Sequence, residues 1–333
     1  MSREAENLLR QLAAEGVSAW YEASRPEELD SAVLSSLLSA GFQSVRLPPG
    51  TARGLVQLAC DLLLPAFVRS GGGLGQVSVP VDPRHAEEAG ALLRGARALH
   101  RTMGRRNLTV RIPMTAAGVE VLADCLAEGI GVDATSVFST DRYAEVLDAY
   151  MEGMERALVA GRWLSRIPAV TTVPVGVFDD DVDARLERLD VPQPREGAGQ
   201  ALARCLYRLR EKRLTQDWWR VLRAGGALPP RLLWVGAGRR SVGDLVGWHT
   251  AHALTVPELE DAARREELRG DTLLNAGREG YGVLRLLEHL GARAGESVAA
   301  LETAELDRLQ SDWNLRTAPA APACGGTARS PGP

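Results

Sequence analysis

Between residues 17 and 256, short runs of β-branched and apolar residues alternate with longer amphipathic segments, and this rhythm most narrows the fold. Parallel neighbouring strands need a crossover of a dozen or more residues, so the alternation implies a parallel sheet carrying helices. The strand-like runs are VSAWY (17–21), FQSVRL (42–47), QVSVPV (76–81), LTVRIP (108–113), GVDATSVF (131–138), AVTTVPVGV (169–177), LLWVGA (232–237) and the weaker HALTV (252–256). Helical segments between them are punctuated as start and stop rules expect. PEELDSAVLSSLLSAG has Pro26 in its first turn and stops at Gly41, GVEVLADCLAEG runs from Gly118 to Gly129, and a third segment runs from Ser139 to Gly161. Eight such units in about 250 residues predict an α/β chain closed as a (β/α)8 TIM barrel, not a doubly wound sheet.

From Glu258 onward the pattern is helical, through TLLNAGREGYGVLRLLEHLG and SVAALETAELDRLQSDW. These extra C-terminal helices are expected on the outside of the barrel. The last stretch, APAAPACGGTARSPGP, is too rich in Ala, Pro and Gly to bury a core of its own. The expected organisation is therefore a barrel with C-terminal helices over 1–317 and a disordered tail over 318–333.

A net charge of −4 speaks against a nucleic-acid surface. The N-terminus MSREAENLLRQLAAEG lacks an apolar signal core, and no run reaches transmembrane length. Cys60, Cys125, Cys205 and Cys324 are too scattered for a C-x-x-C pair or a compact disulfide framework, so reduced thiols are expected. The chain reads as cytoplasmic, with no cofactor, no membrane and no nucleic acid, and with a small-molecule metabolite as partner. A protein partner or a homo-oligomer stays open. Among 39 basic residues Lys212 is the single lysine.

The segments VSVPVDPRHAEEA, NLTVRIPMTAAG, EGIGVDATSVFSTDRYAEVLDAYMEGMERA, FDDDVDARLERL and RLLWVGAGRR resemble, in order and spacing, those of transaldolases of the long bacterial type. The likeness spans most of residues 10–310. It implies a barrel whose fourth strand carries a lysine, in a V-K-I-P-A-T pattern, that forms a Schiff base with a ketose phosphate. Here that position is Arg111. A guanidinium holds its proton and delocalises its lone pair, so it cannot replace an attacking amine. Lys212 lies in ALARCLYRLREKRL, a segment expected on the outer helical ring.

Other positions implied by the resemblance have changed as well. The first-strand aspartate corresponds to Glu22, the asparagine of T-S-N-P to Pro48, the glutamate of V-E-V-D-P to Pro80 and the fifth-strand asparagine to Asp133. Its threonine partner is kept as Thr135, the sixth-strand serine aligns with Thr172, and the phosphate-binding arginine falls near Val177. Proline in a central strand deletes a ladder donor, so Pro80, with Pro48, Pro49 and Pro174, implies a reshaped mouth and a different ligand.

Strand alternation in the register that the resemblance implies should turn Glu22, Pro80, Arg111, Asp133 and Thr135 inward, with Glu22 and Asp133 as the natural partners of Arg111. Arg111 would then orient or polarise an anionic or carbonyl oxygen, with Glu22 or Asp133 as acid or base and Thr135, Thr172 and His252 as further catalytic candidates. Equally, the three charges could neutralise one another and plug a retired site. Ser78 and Arg46 are candidate substrate contacts.

GAGRR (236–240) begins like a dinucleotide fingerprint, but Ser241 stands where its third glycine belongs. A phosphate seat using Arg239 and Arg240 competes there with plain exposed loop arginines. His249 and His252 have H-x-x-H spacing but no further ligands in sequence, so no metal is expected. Asp179, Asp180 and Asp181 are read as the capped start of a helix, and Trp218–Trp219 as packing. Three functions remain: a repurposed enzyme using acid/base or electrostatic catalysis (lyase, isomerase or cyclising), a catalytically silent binding homologue, or true dihydroxyacetone transfer.

Overall fold

The computed structural model describes residues 1–26, 29–191, 197–237, 242–265, 268–292 and 294–318, with the backbone alone at 294–297. The expected tail lies outside the described residues after position 318, as do Arg239, Arg240 and Ser241.

Eight parallel strands close into a barrel in chain order. They are β1 Ser18–Glu22, β2 Ser44–Arg46, β3 Val77–Pro80, β4 Leu108–Pro113, β5 Gly131–Thr135, β6 Ala169–Val173, β7 Arg231–Val235 and β8 Thr250–Leu254. The described helices are α1 Arg3–Ala14, α2 Ser31–Ala40, α3 Arg53–Arg69, α4 Ala89–Met103, α5 Ala116–Ala127, α6 Thr140–Val159, α7 Val175–Arg188, α8 Ala198–Arg213, α9 Asp217–Ala224, α10 Val256–Arg265, α11 Gly277–His289 and α12 Ala294–Thr317. Among the described residues no helix is long and apolar enough to cross a membrane.

All eight expected strands are present, but the fifth and sixth runs overshoot. Ser136, at φ 65°, leaves the sheet after Thr135, and Val175 already belongs to α7. An apolar run does not by itself distinguish strand from buried helix, which is why 174–177 misled. Asp179–Asp181 consequently sit inside α7 and do not cap its start. Asp179 instead accepts the Gly199 N–H at 2.9 Å, and Asp181 pairs with Arg185 at 2.7 Å.

Helix starts follow side-chain capping: Ser2, Asp30, Thr115 and Ser139 each accept the backbone N–H three residues on. Thr115, not Gly118, therefore opens α5. Gly118 serves close packing, because a Cβ there would stand 2.0 Å from the Pro113 carbonyl oxygen at the end of β4.

Alternate burial sets the register. Val45, Val77, Val79, Val110, Ile112 and Val132 point outward under the helices, whereas Trp20, Val170, Leu233, Ala251 and Ala253 fill the barrel centre. The next inward layer, toward the strand C-termini, is the polar one.

One expectation fails in a way that matters for function. Helix α12 does not lie on the outside of the barrel but crosses its mouth, where Glu305, Arg308, Leu309, Asp312, Trp313 and Arg316 line the central cavity. Arg316 gives Nη1 to the Ser24 carbonyl at 2.8 Å, Gln310 gives Nε2 to the Pro83 carbonyl at 3.3 Å, and a Cβ on Gly50 would meet the Arg316 carbonyl at 2.6 Å. A helix face looking into a polar cavity has the same hydropathy as one looking into water, so periodicity could not place it.

Candidate functional site

Glu22, Arg46, Ser78, Arg111, Asp133 and Thr172 project inward from six strands, and the register sets Glu22 beside Arg46 and Arg111 beside Asp133. Adjacency does not decide the pairing. Asp133 is fully buried and accepts the Ser78 hydroxyl at 2.6 Å and the Thr172 hydroxyl at 2.6 Å. The Arg46 Nε stands 3.4 Å from it as an ion pair, while Arg46 Nη1 donates to Glu22 at 2.7 Å. Burial works against the charge on Arg46, but Glu22 and Asp133 outweigh it and raise its pKa.

Arg111 is thereby left without the partners expected for it. Arg46 has captured both carboxylates, and among the described residues no carboxylate lies within 4.0 Å of the Arg111 guanidinium. Its one hydrogen bond to a described residue runs from Nη2 to the Leu47 carbonyl at 2.6 Å. Burial first, and the neighbouring Arg46 second, push its pKa down to about 10, against the pull of Glu22 and Asp133. At neutral pH it remains a cation, nine-tenths buried.

Arg111 faces a cavity of about 360 Å³ shared with Glu22, Arg46, Thr135 and Thr172. Thr135 makes no side-chain hydrogen bond to a described residue, so its hydroxyl is open to a ligand. The Glu22 side chain is 28% exposed and uses only Oε2 on Arg46. Over the top, Arg308 grips Glu305 through Nε and Nη2, both at 2.7 Å, and Arg316 pairs with Asp312.

Asp133 and Ser78, read from sequence as a catalytic carboxylate and a substrate contact, lie beneath the floor and do not line the cavity. They brace Arg46 instead. His252 is also excluded from the mouth: its strand neighbours Ala251 and Ala253 occupy the barrel centre, so alternation turns it to the outer face. There it is completely buried, and burial pushes its pKa down to about 4 despite the Leu245 backbone beside it. His249 sits at the opposite end of the barrel, so the H-x-x-H pair does not converge, and no metal-ligating cluster occurs among the described residues.

Arg239 and Arg240 lie outside the described residues. Cys60 and Cys125 are free and buried, and Cys205 is buried with its thiol toward the Gly277 carbonyl. Trp219 packs in the core, while Trp218 is 38% exposed and donates to Glu155 at 3.0 Å. Lys212 is exposed in the last turn of α8, on the outer ring.

Sequence reasoning missed the roof. Glu305, Arg308, Asp312 and Arg316 recur three and four residues apart, a spacing that reads as a solvated, salt-bridged helix face. The only signal available was Trp313 on that same charged face, where a purely solvated helix has little use for an indole.

Residues 50–314 match the family model described as transaldolase/fructose-6-phosphate aldolase. The transaldolase of Parafrankia sp. is 36% identical over 267 residues, covering 77% of this chain and 72% of that protein. That of Acidothermus cellulolyticus is 35% identical over 268 residues, 78% of this chain and 72% of its own. The Mycobacterium tuberculosis transaldolase is 35% identical over 273 residues, 78% of this chain and 73% of its own.

Proposed function

This chain belongs to the transaldolase/fructose-6-phosphate aldolase family, and from that premise we propose that it acts on a small anionic or carbonyl-bearing metabolite at the barrel mouth without forming an imine on the protein. The observation that carries this reading is Arg111: a buried cation with no carboxylate partner among the described residues, facing a cavity where the resembled enzymes hold their amine. The sole lysine is on the outer surface.

The mouth suits acid/base chemistry next to a carbonyl. Glu22 removes a proton from the carbon beside the carbonyl, the carbonyl oxygen takes up the electron pair as an enolate, and Arg111 stabilises that oxyanion by donating from its guanidinium. Where that carbon carries a hydroxyl, the hydroxyl proton passes to the enolate oxygen and the abstracted proton returns to the former carbonyl carbon, completing an isomerisation; departure of a β-substituent with its electron pair completes an elimination instead. Thr135 orients the oxygen from the side. Asp133 takes no part, because its lone pairs are committed to Ser78, Thr172 and Arg46.

A second reading is favoured by the names of the relatives: transfer of a dihydroxyacetone unit between sugar phosphates. It requires an amine able to lose its proton inside the mouth. A silent binding homologue is less well supported, since a plugged mouth would leave no room where about 360 Å³ is open.

Borohydride reduction in the presence of fructose 6-phosphate, read by intact mass, separates the first two readings. The expected result is an unchanged mass, and a trapped adduct would establish the transferase instead. Thermal-shift screening of 2-oxo acids, carboxylates and sugar phosphates should give a ligand-dependent shift that Arg111→Ala abolishes. No shift with any of them would leave the silent homologue.

A further inference from the structure

The body of the ligand can be read from the cavity wall, given the reading of Arg111 as an anion donor on which this inference rests. Four of the eight strands end in proline at the mouth: Pro48 and Pro49 follow β2, Pro80 ends β3, Pro113 ends β4 and Pro174 follows β6. Proline has no N–H, so at each of these points an apolar ring stands where a backbone donor would otherwise meet a ligand. Val177, Val235, Leu309 and Trp313 extend the same apolar wall upward.

Most polar groups around the cavity are already engaged. Thr172 gives its proton to Asp133, Arg46 is held by Glu22 and Asp133, Arg308 by Glu305, and Arg316 by Asp312 and the Ser24 carbonyl. Among the described residues, four floor groups keep capacity for a ligand: the Arg111 guanidinium, Glu22 Oε1, the Thr135 hydroxyl and the Nη2 group of Arg46. They sit together on β1, β2, β4 and β5, ringed by the proline rings and roofed by Leu309 and Trp313 between the ion-paired Arg308 and Arg316.

We infer that the mouth selects a 2-oxo acid or simple carboxylate with an aliphatic or aryl body, in place of a polyhydroxylated sugar phosphate. A carboxylate matches the planar fork of a guanidinium, and a carbonyl beside it reaches Thr135. The body then lies among proline rings under the Trp313 indole, which supplies a broad apolar surface. Sugar hydroxyls that reach the proline rings would instead lose their water against groups that cannot hydrogen-bond them.

Calorimetric titration of the full-length protein tests this, with phenylpyruvate and fructose 6-phosphate as probes. Phenylpyruvate is expected to bind at least tenfold tighter. Trp313→Ala should weaken phenylpyruvate about tenfold and leave fructose 6-phosphate unchanged, with far-UV circular dichroism checking that the variant is folded; Leu309→Ala is the companion should Trp313→Ala unfold. Equal or tighter binding of fructose 6-phosphate overturns the apolar-body inference while the anion site stands, provided Arg111→Met still abolishes that binding. If neither probe binds, or if Arg111→Met leaves phenylpyruvate affinity intact, the anion site itself falls and the inference with it.

Discussion

The barrel buries an arginine on its inner face at each end, Arg111 at the mouth and Arg231 at the start of β7. Burial lowers the pKa of both, to about 10 and about 9, and among the described residues neither has a carboxylate within 4.0 Å. Their hydrogen bonds differ. Arg231 donates to the Thr250 carbonyl at 2.9 Å, to the Gly73 carbonyl at 3.0 Å and to His249 Nδ1 at 3.3 Å. Among the described residues Arg111 donates only to the Leu47 carbonyl. At the closed end the guanidinium is a brace tying β7 to β8 and to the loop after α3. At the mouth the same group keeps donors that face the cavity. A buried charge alone does not mark a site; donors left over beside a cavity do.

The sharpest break of that comparison is Arg231→Met. It strands two carbonyls and an imidazole in the interior, and should destabilise the fold by about 3 kcal/mol in urea titration while leaving carboxylate binding at the mouth unchanged. Next comes pH. His249 accepts from Arg231 through Nδ1 and places Nε2 2.9 Å from the Pro229 carbonyl, so the ring is neutral in the fold. Burial first, then Arg231 and Arg210, push its pKa down to about 2, while the unfolded chain takes up that proton below about pH 6.5. The unfolded state therefore binds the extra proton between those limits, and stability must fall as pH drops through that window. The contribution is about 1.4 kcal/mol per pH unit, and His249→Asn, which tolerates the positive φ there, should flatten the slope by that amount.

A smaller effect of opposite sign is expected at the mouth. Arg111→Met removes a buried cation that lacks a carboxylate and should raise stability by about 1 kcal/mol while abolishing the ligand-dependent thermal shift. A loss of stability comparable to that of Arg231→Met would make the two arginines equivalent braces. Smallest of all, Lys212→Ala should move stability by less than about 0.5 kcal/mol and leave activity untouched, whatever the reaction proves to be.

Much of this was legible before any coordinates. The eight strands could be read because both-face burial makes parallel strands short and apolar between helical segments. The inward direction of Glu22, Arg111, Asp133 and Thr135 followed from alternation once the family resemblance had supplied the register. The pairing within that cluster did not, because Arg46 on the strand beside Glu22 competes for the same carboxylates and only distances choose between two guanidinium groups. His252 failed for a related reason: one step of register decides which face a strand residue occupies, and the apparent start of HALTV suggested no face at all.

What the chain determined by itself is chemical and local: the alternation that closes the barrel, and a residue at 111 that cannot become a nucleophile in a protein with one lysine. Covalent identity is enough for both. The tertiary structure alone decided that Arg46 takes both carboxylates, that Arg111 keeps free donors above them, and that α12 roofs the mouth. Those outcomes depend on distances between elements far apart in sequence, and the hydropathy of a charged helix is the same whether it faces water or a polar cavity.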